Sequence, residues 1–392
     1  MTFAFLQGKG IVDDLARRPS YSPTVGILGT FPPTVCGLAT FSAALCGGLS
    51  VNGASVRVVR ISDGSPTSDP RVVAELVNGS ASSVDSCSET LNQNDVALIQ
   101  HEYGIFGGRD GDEVVEIIGA LRIPSIVVAH TVLTCPTPHQ RAVLEAIAAL
   151  ADQVVVMSEA ANERLCRGYQ VDPKKVITIP HGVTIPRNGP PPSSGRPTLL
   201  TWGLLGPGKG VERVIDAMAS LRDLPGSPRY LIAGQTHPKV LAAEGEHYRE
   251  SRIRQARLTG VADSVSFDAG YRSVASLNVL AQSAAAVVLP YDSTDQVTSG
   301  VLVDAIASGR PVVATAFPHA VELLESGAGI VVDHDDPEAL VGALHHVLTD
   351  PNRARSMAAE ARRLAPTMAW PVVAGQYLRL ARRLSGERPA LR

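Results

Sequence analysis

Short runs of β-branched residues alternate along the chain with longer Ala- and Leu-rich segments that repeat with a helical period. This alternation predicts β-α-β units, in which helices cover both faces of a parallel sheet. The first half contains the runs TVGILGT, SVRVVRI, DVALIQHE, PSIVVAHT, DQVVVMS and KVITIPHG, and the second half contains PTLLTWG, RYLIAG, SVSFDAG, AAVVLPY, RPVVATAF and GAGIVVD. Two sets of about six strands predict an α/β chain with two doubly wound, Rossmann-like parallel-sheet domains.

A stretch dense in Pro, Gly and Ser, IPRNGPPPSSGRP from Ile185 to Pro197, separates the two sets of strands. Such a composition is typical of a linker, because it cannot continue a helix or a central strand. We therefore predict an N-terminal domain over residues 1–185, a linker over 186–197 and a C-terminal domain over 198–366. The periodic segment AWPVVAGQYLRLARRL predicts a closing helix within residues 367–392. Open α/β sheets bind ligands at the C-terminal ends of their strands, so we expect a substrate in the cleft between the domains.

The 392 residues carry a formal net charge of −3, and 45% of them are hydrophobic. This balance gives no reason to expect the concentrated basic surface that nucleic-acid binding needs. No apolar run approaches the roughly 18 to 20 residues that span a bilayer, and the N-terminal sequence lacks the features of a secretory signal. Scattered cysteines without a C-x-x-C pair favour reduced, buried thiols. We expect a cytoplasmic protein whose membrane association, through Arg residues of the last helix, is at most peripheral.

The stretch TWGLLGPGKGVERVIDAMASL combines closely spaced glycines with a lysine. Its spacing matches all but the last position of the phosphate-loop pattern G-x-x-x-x-G-K-[ST], because Gly210 replaces the hydroxyl that binds magnesium. The stretch predicts a strand that ends at Trp202, a glycine-rich turn and a helix that starts near Val211. Free N–H groups at such a turn attract an anion, and Lys209 adds a cation beside a diphosphate. The alternative is that the glycines only permit tight packing of the helix on the sheet.

A second polar turn follows the run VVLPY, in the stretch LPYDSTDQVTSGVLVDAIASGRPVVAT. It predicts a helix whose first N–H groups belong to Ser299, Gly300 and Val301, a favourable place for an anion. Asp304 lies near the first turn of that helix, eight residues after Gln296. A carboxylate at this place can accept hydrogen bonds from two adjacent hydroxyls of a ribose. The alternative is an aspartate that only interacts with the helix dipole.

The order of these segments resembles the retaining glycosyltransferases of family 4, which have the two-domain GT-B architecture. In that family a G-R-L-x-x-x-K-G turn precedes a stretch of the form E-G-F-G-L-x-x-x-E-A-x-A-x-G-x-P-V-V-A. This chain has GLLGPGKG and QVTSGVLVDAIASGRPVVAT at those places, and the resemblance covers nearly its whole length. It implies that Lys209 contacts the diphosphate of a sugar nucleotide and stabilises it as a leaving group. By the same resemblance, the N–H groups around Ser299, Gly300 and Val301 bind the donor phosphates.

Several positions depart from the family pattern. The resemblance places Asp304 on the nucleotide ribose and Gln296 on hydroxyls of the transferred sugar, and the family has glutamate at both positions. Leu204 stands where the family has an arginine beside the lysine. His181, in IPHGVTIP, replaces a usual asparagine and is expected to shape the crossing between the domains. The resemblance therefore implies a donor site with one cation and one carboxylate fewer than usual.

The N-terminal half contributes further candidates. The stretch GTFPPTVCGLATFSAALCGGL resembles the family's glycine-rich loop, in which Gly37 approaches the donor phosphate. The runs IQHEYGIFGG and VVAHTVLTCP each finish a strand with a histidine, His101 and His130, and strand C-termini face the cleft. An isolated histidine is more often structural than catalytic. The resemblance places His130 near the transferred sugar, as a catalytic residue together with Lys209, and it places His101 and Glu102 toward the acceptor.

The resemblance implies an enzyme that moves a hexose, with mannose or glucose favoured, from a nucleoside-diphosphate sugar to a glycan, lipid or small-molecule acceptor with retention of configuration. Nucleic acid is not an expected partner. No cofactor and no metal are expected, and the acidic runs at Asp110 and Asp333 fit solvated turns better than a metal site. Three alternatives stay open: a GT-B sugar-nucleotide epimerase, a catalytically weak sugar-nucleotide-binding protein and, least favoured because of Gly210, a nucleoside triphosphatase.

Overall fold

The first parallel sheet has seven strands in the order β3-β2-β1-β4-β5-β6-β7. A computed structural model describes residues 22–186, 195–270 and 272–387. The strands of the first sheet are β1 (Thr24–Gly29), β2 (Ser55–Ile61), β3 (Val72–Leu76), β4 (Val96–His101), β5 (Ser125–Ala129), β6 (Gln153–Val156) and β7 (Val176–Thr178). Every neighbouring pair is parallel, so the C-terminal ends of these strands share one edge.

Helices cover both faces of this sheet. They are α1 (Gly37–Val51), α2 (Ala81–Leu91), α3 (Glu113–Gly119), α4 (Pro138–Leu150) and α5 (Glu159–Gly168). Ile27 and Leu28 are neighbours in β1 and point to opposite faces, because side chains alternate along a strand. Ile27 enters one core with Leu45 of α1, and Leu28 enters a second core with Val114 of α3. The first half is therefore doubly wound, as predicted.

The prediction of about six strands in the first half is wrong by one, because β3 is an additional edge strand. Its sequence, VVAEL, is short and alternates between half-buried and exposed side chains before a buried last residue. Its pairing with β2 shifts register between Val58 and Val59. An edge strand of this kind lacks the continuous apolar run that marks the central strands of a parallel sheet.

The second parallel sheet has the six predicted strands in the order β10-β9-β8-β11-β12-β13. They are β8 (Thr198–Trp202), β9 (Arg229–Ala233), β10 (Val265–Asp268), β11 (Ala286–Leu289), β12 (Val312–Thr315) and β13 (Gly329–Val332). The helices are α6 (Val211–Leu221), α7 (Pro238–Glu244), α8 (His247–Leu258), α9 (Val274–Ser283), α10 (Gly300–Ala307), α11 (Pro318–Leu324), α12 (Pro337–Thr349) and α13 (Pro351–Leu364). Two cores again lie on the two faces of the sheet. The predicted strand end at Trp202 and helix start near Val211 are both confirmed.

The last helix, α14 (Trp370–Glu387), packs on the first sheet, against α1. Trp370 and Tyr377 are buried there. The two helices lie close together at Gly48 of α1, where an added β-carbon would lie 2.8 Å from the Trp370 carbonyl oxygen and 2.8 Å from the Ala374 β-carbon. The predicted closing helix therefore joins the end of the chain to its first half.

Some predictions concern segments that the structure covers only in part. Residues 187–194 of the predicted linker lie outside the described residues, and the domain boundaries stay a prediction. The thiols of Cys46 and Cys87 are buried as expected, but Cys135 is exposed. Within the described residues, none of the helices is long and apolar enough to cross a bilayer.

We expect Gly48→Ala to destabilise the protein, because the new methyl group collides with α14. Overpacking of this kind costs about 1 to 3 kcal/mol. Gly47→Ala is the matched control, since a β-carbon there meets nothing within 4 Å and alanine is the better helix former. Thermal unfolding of both variants checks the prediction, and equal melting temperatures for the two would contradict the close contact between α1 and α14.

Candidate functional site

The turn between β8 and α6 holds Lys209 against the end of β11. Gly210 has φ +66°, and a β-carbon on it would lie 1.7 Å from the Pro290 carbonyl oxygen, so this position requires glycine. The Lys209 Nζ donates a hydrogen bond of 3.2 Å to the Tyr291 hydroxyl and lies 4.4 Å from the centre of that ring. Neither the hydroxyl nor the ring carries a negative charge, and no carboxylate of the described residues forms an ion pair with Lys209.

The first turn of α10 presents two unpaired backbone donors. Ser299 is the N-cap residue, and its hydroxyl accepts a hydrogen bond of 3.2 Å from the Leu302 N–H. The Ser299 N–H itself donates to the His319 Nδ1 at 2.9 Å. It is therefore not available to a phosphate, contrary to the prediction. The N–H groups of Gly300 and Val301 have no hydrogen-bond partner among the described residues. Two of the three predicted donors therefore remain for an anion.

Lys209 and the first turn of α10 both lie close to Gly203. A β-carbon on Gly203 would lie 3.0 Å from the Lys209 Nζ and 4.0 Å from a methyl group of Val301. The two sequence stretches, about 90 residues apart, thus meet at one place because β8 and β11 are adjacent parallel strands. The arrangement combines a cation with a helix N-terminus, which is favourable for a diphosphate.

Asp304 lies in the second turn of α10 rather than in the first, so an interaction with the helix N-terminus does not explain it. Its carboxylate has no hydrogen-bond or ion-pair partner among the described residues. Burial raises the pKa of Asp304 from its ordinary value of 3.8 to about 7. A half-buried carboxyl group without a partner is available to accept hydrogen bonds from a ligand.

Gln296 and Leu204 occupy the two positions that depart most from the family pattern. The Gln296 side-chain amide donates to the Thr298 carbonyl at 3.2 Å, so it is folded back onto its own turn. Its carbonyl oxygen is the group that stays available to a sugar hydroxyl. Leu204 is 47% exposed at the turn that carries Lys209. An arginine at this position would add a second cation, which the leucine does not supply.

The N-terminus of α1 faces open space. Gly37 is the first residue of the helix, it is exposed, and a β-carbon on it would meet nothing within 4 Å. Cys36 caps the helix with its sulfur, which accepts from the Ala39 N–H at 3.3 Å. The N–H groups of Gly37 and Leu38 have no partner among the described residues. The predicted glycine is thus placed where a phosphate can approach α1.

His130, at the end of β5, is neutral in the folded protein. Burial, with smaller contributions from the nearby His181 and His101, lowers the pKa of His130 to about 3. The His130 Nε2 lies 2.6 Å from the Gln100 Oε1, so this nitrogen carries the proton and donates. The other ring nitrogen then has a lone pair. His130 is therefore able to accept a hydrogen bond from a sugar hydroxyl but not to act as a cation near neutral pH.

His101 does not fit the prediction that it contacts the acceptor. It is 0% exposed, because it is the last residue of the central strand β4 and packs edge-on against the Tyr103 ring at 5.1 Å. Both ring nitrogens lack a hydrogen-bond partner among the described residues. Burial lowers the pKa of His101 to about 4, which keeps the ring neutral. A strand end at the cleft edge does not ensure that its last side chain points into the cleft.

Glu102, the other predicted acceptor residue, is half-buried directly after β4. Its carboxylate accepts a hydrogen bond from the Thr131 hydroxyl and another, of 3.1 Å, from the Tyr103 N–H. These bonds fix the side chain across the ends of β4 and β5. Glu102 keeps spare acceptor capacity, because an ionised carboxylate has about four lone-pair sites.

An aromatic cluster joins the two halves of the site and was not predicted. The Phe41 ring of α1 contacts the rings of His130 at 4.8 Å, His181 at 5.1 Å and Trp370 at 5.0 Å. His181 also lies beside α10, since a β-carbon on Gly300 would be 3.1 Å from its Nε2. The cluster therefore runs from the end of β5 to the first turn of α10. In the sequence, this cluster is indicated only by Phe41 in the stretch GLATF, which follows Gly37 by about one helical turn.

The loop that carries Gln296 is bonded directly to the first half of the chain. The Ser158 hydroxyl donates to the Val297 carbonyl at 2.6 Å, and the Thr134 hydroxyl donates to the Asp295 carboxylate at 2.7 Å. Ser158 is also the N-cap residue of α5. We call residues 295–299 the donor loop. It is held by both halves of the protein and lies where the expected cleft would be.

The acidic run at Asp110 contacts a histidine side chain and is not a freely solvated turn. The Asp110 carboxylate lies 2.9 Å from the His139 Nδ1, and the Asp112 carboxylate lies 3.4 Å from the Nε2 of the same ring. Within the ranges that the structure describes, no group of three or more His, Cys, Asp or Glu side chains has the arrangement of a metal site.

Two family models match consecutive parts of the chain. The model described as Glycosyltransferase Family 4 matches residues 35–187, and the model described as Glycosyl transferases group 1 matches residues 186–364. The chain belongs to the family 4 glycosyltransferases. Together the two matches span Gly37, the turn of Lys209 and the whole of α10, so the groups described above lie within the part shared with the family.

Individual relatives and solved structures are similar over much of the chain. The GDP-mannose-dependent alpha-(1-6)-phosphatidylinositol monomannoside mannosyltransferase of Mycolicibacterium smegmatis is 29% identical over 293 residues, which cover 69% of this chain and 72% of that protein. The D-inositol 3-phosphate glycosyltransferase of Rhodococcus opacus is 26% identical over 272 residues, which cover 63% of this chain and 59% of that protein. The crystal structure of Anabaena Alr3699/HepE in complex with UDP and glucose matches with a TM-score of 0.72 and 17% identity, over 92% of this chain and 100% of that one. The predicted GT-B fold of this glycosyltransferase is confirmed.

We expect Asp304→Asn to stabilise the protein progressively as pH rises from about 4 to about 7. The unfolded carboxyl loses its proton near 3.8, whereas the folded one keeps it until about 7, so the folded state binds more protons in this range and its stability falls with rising pH. Asparagine does not ionise, so the variant lacks this fall in stability with rising pH. Melting temperatures across this range, with the exposed Asp263→Asn as control, measure the effect, which should reach a few degrees at pH 7.5. Parallel curves for Asp304→Asn and wild type would contradict the burial of an unpaired carboxyl.

Proposed function

We propose that the protein transfers a hexose from a nucleoside-diphosphate sugar to an acceptor hydroxyl, with retention of configuration and without a metal ion. One observation carries the proposal: the Lys209 Nζ and the first turn of α10 both approach Gly203, and the Gly300 and Val301 N–H groups of that turn have no partner among the described residues. A cation and a helix N-terminus near the same residue match the charge of a leaving diphosphate. Such preorganised donors stabilise charge that develops in a transition state.

The nucleotide would lie along the C-terminal edge of the second sheet. The Asp304 carboxyl has no partner of its own, and we propose that it accepts hydrogen bonds from the ribose. Gln296 would contact the transferred sugar through its side-chain oxygen, since its nitrogen donates to Thr298. The N–H groups of Gly37 and Leu38 at α1 would approach the donor phosphates from the first half.

Bond cleavage would transfer the electron pair of the sugar–phosphate bond to the leaving diphosphate. Lys209, together with the α10 donors, stabilises that negative charge, which is the role that a divalent metal has in other transferases. The acceptor oxygen forms the new bond to the same face of the sugar, and its proton passes to an oxygen of the leaving phosphate. His130 would orient a sugar hydroxyl through its unprotonated ring nitrogen, and no side chain is needed as general base.

The relatives support the proposed donor and acceptor classes. The name of the mycobacterial relative specifies GDP-mannose and a phosphatidylinositol monomannoside, and the Anabaena structure contains UDP and glucose. We therefore propose mannose or glucose as the transferred hexose and a glycan, lipid or small polyol as the acceptor. Glu102 would bind an acceptor hydroxyl, because its carboxylate is fixed and has spare acceptor capacity.

We expect Lys209→Ala to lower kcat/KM for transfer by about a hundredfold, because the leaving diphosphate loses its cation. Lys174→Ala is the matched control. Lys174 is exposed on the turn before β7, at the N-terminal end of a strand, whereas the proposed site lies at the C-terminal strand ends. Steady-state release of nucleoside diphosphate, measured with each sugar nucleotide and an acceptor, reports the effect. A Lys209→Ala enzyme with the rate of the wild type would contradict this placement of the diphosphate.

We expect transfer to an acceptor such as inositol phosphate or a mannoside to give the α-linked product from an α-linked donor, and to continue in excess EDTA. NMR of the anomeric proton identifies the configuration of the product. A β-linked product would contradict retention, and inhibition by EDTA that Mg²⁺ reverses would contradict metal independence. Conversion of the sugar nucleotide in the absence of any acceptor would instead indicate an epimerase.

A further inference from the structure

His319, on α11, is tied to both ends of the donor loop. Its backbone N–H donates to the Gln296 carbonyl at 3.2 Å, and its ring Nδ1 accepts from the Ser299 N–H at 2.9 Å. The side chain is only 3% exposed. One residue outside the loop thus fixes the loop at its start and at the point where α10 begins.

The ring must be neutral to make this contact. A nitrogen accepts a hydrogen bond only without a proton, so the Nδ1 is unprotonated and the Nε2 carries the proton. Burial lowers the pKa of His319 to about 3, with a smaller contribution from His181. The ring therefore stays an acceptor throughout the range in which the protein is expected to work.

The contact decides which backbone donors of α10 face outward. Ser299 is the N-cap residue, and its own N–H is occupied by His319, while its hydroxyl is occupied by Leu302. The next two N–H groups, of Gly300 and Val301, are the unpaired ones. Without an acceptor at position 319, the buried Ser299 N–H would have to find another partner, and the turn would rotate.

We propose that His319 is a positioning residue that orients the first turn of α10 for the donor diphosphate. This inference rests on the proposed function, because the ligand is the nucleoside diphosphate of that donor. The requirement is for an acceptor atom rather than for volume. Asparagine supplies one, since its Oδ1 is separated from the α-carbon by the same number of bonds as the histidine Nδ1, whereas leucine fills the space without an acceptor.

The experiment compares His319→Leu and His319→Asn with wild type and with the exposed control His345→Leu. Isothermal titration calorimetry with GDP and with UDP measures binding, and thermal unfolding measures stability. We expect leucine to weaken nucleoside-diphosphate binding about tenfold, because the N–H groups of Gly300 and Val301 would no longer be oriented toward the diphosphate. Asparagine should restore affinity to within about threefold of wild type, even if both variants lose the same stability.

Equal loss of affinity in folded Leu and Asn variants would overturn the positioning role, and so would unchanged affinity in the Leu variant. Failure of the wild type to bind either nucleotide would overturn the proposed function itself and this inference with it. If the variants do not fold, ¹⁵N NMR of the wild-type histidines decides. An Nε2-protonated His319 whose Nδ1 signal shifts on addition of the bound nucleotide supports the proposal, and an Nδ1-protonated ring overturns it.

Discussion

The proposed donor site depends on one close contact between two backbone segments, the turn after β8 and the end of β11. The two strands are adjacent and parallel, so the segments that follow them leave the sheet side by side. At Gly210 the approach is so close that a β-carbon would overlap the Pro290 carbonyl oxygen. Because of this contact, the Lys209 ammonium group lies against the Tyr291 side chain and near the first turn of α10. The two glycines that match the ATPase-loop pattern, Gly203 and Gly208, have φ +117° and +87°, so their left-handed backbone conformation accounts for them.

Electrostatically, the site relies on dipoles more than on charges. The rings of His101, His130, His181 and His319 are buried, and burial lowers the pKa of each. They contribute contact surface but no positive charge, and the rings of His130, His181 and His319 also form hydrogen bonds. Leu204 adds no positive charge either, so in the proposed site Lys209 and the backbone N–H groups would balance the charge of the diphosphate. Direct backbone donors lose no rotamer entropy on binding, which partly offsets the missing cation.

Much of the fold could be predicted from the sequence, but only part of the site. Alternating runs of β-branched and helical residues predict two parallel sheets, and only the weakly apolar β3 was missed. Lys209, Gly300 and Val301 follow from local signals, because a strand end, a turn and a helix start lie next to each other in the chain. The burial of His101 and the bond from Ser299 to His319 depend on packing between distant segments, about which periodicity carries no information.

The donor loop is also where the two halves of the protein depend on each other. The loop is hydrogen-bonded to the first half through Ser158. Helix α11, which contacts the loop through His319, is also hydrogen-bonded to the first half. The Glu322 carboxylate of α11 accepts hydrogen bonds of 3.0 Å from the N–H groups of Glu159 and Ala160, at the N-terminus of α5. A carboxylate at a helix N-terminus is a favourable, directional contact. Because both supports of the donor loop are bonded to α5 and its N-cap, the position of the first turn of α10 depends on the spacing of the two halves.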